Sequence, residues 1–161
     1  MAIEYSILMK DKKLTKEILI KKLEQIGYID YCISELPEGI VIDLHEKFGV
    51  FIYLMDARSY PYNSWETSFC KNEYIFEKIL EFRFLKDFDD WKKRYEIIFS
   101  IIFDLILELK EEALFVSNGD TELCMFDKEG KIYLNNKSKI WDYEFIKNMI
   151  IDKNIEYITP I

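Results

Sequence analysis

The chain is poor in the residues with which proteins usually do chemistry: its 161 residues hold one histidine, three cysteines, five glycines and three prolines. With His45 as the only imidazole, neither a histidine-rich metal cluster nor a His-assisted nucleophile has an evident set of members. The glycines form no GxGxxG or GxxxxGKS/T string, so a glycine-rich phosphate cradle has no support. Cys32, Cys70 and Cys124 are odd in number and widely spaced, which suits reduced thiols packed as small hydrophobes and not a disulfide framework. No catalytic residue, metal or cofactor is expected.

Long hydrophobic runs are missing as well. The densest apolar stretch, IIFSIIFDLILEL over residues 97–109, is interrupted by Ser100, Asp104 and Glu108 and is too short for a hydrocarbon layer of about 30 Å. The opening MAIEYSILMKDKK places an acid before a short apolar run and has no small-residue cleavage pattern, so no secretory signal and a cytoplasmic location are expected.

What the chain does hold is acid and aromatic side chains. Thirty carboxylates against twenty-two basic groups give a net charge of -8, which disfavours nucleic acid and anionic membranes as partners and favours a basic protein surface. Eleven tyrosines and twelve phenylalanines are too many for a disordered acidic segment, so the acid belongs to a folded surface, with residues 1–161 forming one domain. Residues 31–90 hold twelve acids and six bases, and so carry most of the imbalance.

Hydrophobic period sets the expected elements. Ile3, Tyr5, Ile7 and Met9 alternate as in a half-buried strand, and Thr15 is placed to cap a helix over 16–26, with Leu14 and Leu19 as a hydrophobic staple and Gly27 at the exit. YIDYCISE, GIVIDLHE and GVFIYLMDA read as an antiparallel meander. Residues 58–73 lose all period and read as a long loop, and a strand follows over 79–86. Asp87, Asp89 and Asp90 precede the apolar central helix and suit its N-terminus better than a calcium loop, whose alternating ligands are missing. Asn118-Gly119 and the 127–130 stretch mark two hairpin turns, a last helix spans about 142–150 behind Trp141, and KNIEYITPI reads as an extended tail. The order β-α-β-β-β-β-α-β-β-β-α predicts an α+β domain in which a mainly antiparallel sheet curls around a buried central helix.

Candidate chemistry is thin. Asp43 and His45 project together from what reads as a strand, but no cysteine or serine is tied to them by spacing, so an ordinary strand histidine is expected. A hydrolase using two carboxylates would need a pocket holding two carboxyl groups of perturbed pKa. For binding, the 58–73 loop is the strongest segment: Tyr60, Tyr62 and Trp65 are ring types that dominate interface hot spots, and Asp56, Glu66 and Glu73 supply charge beside them. Either these rings fold back onto the core or they meet a partner, and the exposure of Trp65 separates the two.

The opening AIEYSI, the paired strands GIVIDL and FIYLMDA, and above all LFVSNGDTELCMFDKEGKIYLN followed by Trp141 resemble the swarming-inhibition-toxin (Sit) type immunity proteins of bacterial polymorphic toxin and contact-dependent inhibition systems. The resemblance lies at the two ends of the chain and not over 58–90. It implies a non-enzymatic inhibitor that binds one cognate toxin domain. Together with the charge, it points to a basic toxin such as a nuclease. A general protein-interaction or adaptor domain is the alternative, with the carboxylate-dependent hydrolase behind it.

Overall fold

The computed structural model describes residues 3–28 and 31–159. Ile29 and Asp30 of the first meander run, Ala2 of the opening strand and Pro160 and Ile161 of the tail lie outside the described residues.

The alternating opening forms β1 (Ile3–Met9). It leads into α1 (Lys16–Gln25), where Thr15 Oγ1 accepts the Ile18 N–H at 3.3 Å and Leu14 and Leu19 are fully buried. The meander follows as β2 (Cys32–Leu36), β3 (Gly39–Leu44) and β4 (Val50–Asp56), with a single helical turn α2 (His45–Phe48) before β4. After β5 (Ser64–Trp65) and β6 (Tyr74–Ile75), the chain forms β7 (Lys78–Phe84) and α3 (Trp91–Leu109). Then come β8 (Ala113–Ser117), β9 (Thr121–Phe126), β10 (Ile132–Leu134), a 3-10 turn (Lys139–Asp142), α4 (Glu144–Asp152) and β11 (Tyr157–Ile158).

The fold is α+β, built on an open nine-stranded sheet of order β11-β10-β9-β8-β1-β7-β4-β3-β2 that does not close into a barrel. Every pairing is antiparallel except β10 with β11. Because β7 and β8 both pair with β1, the connecting α3 crosses the middle of the sheet. Register does the rest. Ile7, Leu80, Leu54 and Ile40 stand in one row, Tyr5, Phe82, Ile52 and Ile42 in the next, and all eight face the helices.

Against that face lies α3, whose Phe99, Phe103, Ile98 and Ile102 are fully buried. Its polar stripe is the part left uncovered: Ser100 and Asp104 are half-buried and Glu108 is exposed. Glu108 accepts from Lys22 Nζ of α1 at 2.9 Å, and Asp104 pairs with Lys153 beyond α4, so the two flanking helices are tied to the stripe.

Several expectations change. His45 is not in a strand but opens α2, because its backbone N–H turns to Asp43 Oδ1 at 3.0 Å and ends the ladder. Asp90 stands at the N-cap of α3, yet its side chain accepts no capping hydrogen bond. The tail is extended as expected, and its Tyr157 and Ile158 add to the sheet by pairing with β10. Of the three free thiols only Cys124 is buried, and Cys32 is exposed. No helix among the described residues is long and apolar enough to cross a membrane.

Candidate functional site

Both faces of the sheet carry apolar side chains. On the face away from the helices, Leu8, Leu114 and Val116 would be bare without residues 57–77, which fold back across them and bring Tyr74 and Phe76 into a second small core. The excursion is a hairpin, with Ser64 paired to Ile75 and Trp65 to Tyr74. Its anchors are polar. The Tyr74 hydroxyl donates to Leu8 O at 2.9 Å and lies 3.1 Å from Glu112 O. Glu122 of β9 accepts from Thr67 Oγ1 and Ser68 Oγ, each at 3.0 Å, from the Ser68 N–H at 3.3 Å and from Trp65 Nε1 at 3.4 Å. A carboxylate that gathers four donors of one loop fixes that loop to the strand beneath it.

This arrangement splits the aromatic trio. Trp65 is half-buried and packs on the second core. Tyr60 and Tyr62 stand out at 64% and 72% exposure, the tips of a segment whose base is held down. Asp56, Glu66 and Glu73 are all exposed. Asp56 lies 3.9 Å from Lys12, and Glu73 accepts from Ser64 Oγ at 2.9 Å, which sets that carboxylate beside Trp65. Arg58 and Lys71 share the same excursion and are exposed too, so its charge is mixed with an acidic excess.

Strand pairing also assembles a group that spacing did not reveal. Cys32 stands opposite Asp43 and, with His45, lines a cavity of about 270 Å³. The Asp43 carboxylate binds the backbone N–H and Nδ1 of His45, and that backbone N–H chiefly holds it below the ordinary carboxylate range. The Cys32 Sγ makes no hydrogen bond to the imidazole, which stacks on Phe51 with ring centres 5.6 Å apart. Among the described residues no group of three or more His, Cys, Asp or Glu is placed to hold a metal ion. The other displaced carboxyl, Glu111, is fully buried after α3 and raised by that burial.

The sequence model of the SitI3-like family matches residues 32–145. That span runs from β2 into α4 and includes the 58–90 stretch on which the resemblance noted above did not rest. No curated protein and no solved structure matches the chain. The match covers well over half of the sequence, and the chain belongs to the SitI3-like family.

Proposed function

We propose that this protein is an immunity protein: it binds a cognate toxin domain, a basic one such as a nuclease, and neutralises it in the cytoplasm without doing chemistry of its own. The family is of the immunity type, which supports the class of function. The observation that carries the choice of surface is the pair Tyr60 and Tyr62, two large rings left in solvent on a segment otherwise strapped to the sheet. Rings of this kind supply contact area at low entropic cost, and pre-anchoring the loop reduces what ordering must cost on binding. Asp56, Glu66 and Glu73 around them complement a cleft built to attract phosphates, and Trp65 serves from below as the ring that holds the platform.

Co-purification with the toxic domain, followed by growth rescue of cells expressing it, tests the reading. Reversing Glu66 and Glu73 together to Lys should weaken binding by about tenfold or more, roughly 1.4 kcal/mol. The same reversal of exposed Glu17 and Glu24 on α1 should change it by less than about twofold. Equal losses would place the interface elsewhere, and a protein that neither binds nor rescues would end the proposal.

A further inference from the structure

In a chain with a surplus of acid, one cavity is cationic. It lies on the helix side of the sheet, opposite the aromatic loop, has a volume of about 590 Å³, and is lined by Arg94, Lys86 and Lys139 together with tyrosine and tryptophan rings. Arg94 is only 2% exposed. Its Nη1 donates to Leu85 O at 2.7 Å and Gly49 O at 3.2 Å, while its Nε–H is buried with no acceptor. The guanidinium lies 4.6 Å from the Phe84 ring centre and 5.3 Å from that of Phe88. Carbonyl dipoles and ring faces offset part of the cost of burying a cation, but among the described residues no carboxylate completes it. Asp87, Asp89 and Asp90 stand on the preceding residues, and none of them pairs with Arg94 or lines the cavity. Among the described residues Lys86 and Lys139 likewise form no ion pair.

The walls are apolar and ordered. Trp91 and Tyr143, 40% and 44% exposed, meet edge to face at 5.9 Å, and deeper in, the Tyr5 hydroxyl lies 3.1 Å from that of Tyr95. With Nη1 committed to two carbonyls and Nε enclosed, Nη2 is the guanidinium nitrogen left for an acceptor, and a charged nitrogen of this kind takes a carboxylate oxygen. We propose that this cavity binds a small carboxylic acid with an aromatic or extended apolar body, the carboxylate directed to Arg94 and the two rim lysines and the body set between Trp91, Tyr95 and Tyr143. A pocket of this size suits such a ligand.

The probe is 1-naphthaleneacetate, titrated into the full chain by calorimetry, with 1-naphthaleneacetamide as its neutral isostere and inorganic phosphate as an anion without an apolar body. The acid should bind with a Kd below about 1 mM, and the amide and phosphate at least about tenfold more weakly. The Nε–H resonance of Arg94 should shift as the acid is added. Because replacing Arg94 removes the donor to two carbonyls, the exposed pair Lys86→Glu and Lys139→Glu carries the mutational arm. It should lower the acid's affinity about tenfold with an unchanged melting temperature. A Kd above about 1 mM, equal affinity for the amide or for phosphate, an unmoved Arg94 resonance, or rim variants that bind as well as the parent would each overturn the proposal. None of these outcomes bears on toxin binding at the opposite face.

Discussion

Gly49 joins α2 to β4 at φ +61°, and a Cβ built there would come within 2.7 Å of the Phe88 ring and 3.0 Å of Arg94 Nη1. Both backbone strain and steric contact therefore oppose a side chain. Gly49→Ala should cost about 1–3 kcal/mol in urea unfolding, and an unchanged midpoint would refute the contact. The glycine at a strand junction is visible in the sequence, whereas its neighbours come from residues 88 and 94 and are not. Glu111 is a second case. Its Oε1 accepts the Asp11 N–H at 2.7 Å, its Oε2 is buried without a partner, and burial raises its pKa above the ordinary 4.5. Below about pH 4.5 folded and unfolded chains both hold the proton, and stability is undiminished. As the pH rises from there through the raised folded value, the folded state must ionise a buried group and stability falls. Glu111→Gln removes that titration, so its stability relative to the parent should increase as pH rises from 4 to 8 in parallel denaturant melts. A difference that is flat with pH would mean the carboxyl is not strained.

At the scale of elements, α3 and the 57–77 excursion behave oppositely. The helix was legible: an apolar surround with one polar stripe every fourth residue places it in the middle of a core. The stripe then settles against α1 and α4 through Glu108 and Asp104. Phe103 is fully buried among Phe99, Phe126 and Trp141, and Phe103→Ala should cost about 3–5 kcal/mol in thermal or chemical unfolding. The excursion reads from sequence only as a long aperiodic loop, since its two paired residues per strand are too few to show a period. What organises it is Glu122, more than fifty residues away from Thr67. Glu122→Ala should release residues 64–70, seen as faster amide exchange there and a red shift of Trp65 emission, with the central strands still protected. The expected loss is about 1.5–3 kcal/mol, the range for hydrogen bonds to a charged group. Uniform destabilisation without local release would show that the small core, and not the carboxylate, holds the loop.

For the whole molecule, the proposed function makes charge the property to test. A net charge of -8 with its excess over residues 31–90 should make association with the proposed basic toxin domain fast and salt-sensitive. Raising ionic strength from about 0.05 to 0.5 M should slow the association rate by roughly tenfold or more while changing dissociation little. A rate independent of salt would remove the electrostatic role of Asp56, Glu66 and Glu73. The α+β class, the capped first helix, the buried third helix and the Asn118-Gly119 hairpin were set by the sequence alone, because period, caps and turn residues act over a few positions. Tertiary structure decided that the aromatic loop covers the second face of the sheet, that Trp65 turns in while Tyr60 and Tyr62 stay out, and that an unpaired arginine meets two lysines in one cavity. Those outcomes depend on which strands become neighbours. Strand order is chosen by burial of the whole sheet, and no local pattern encodes it.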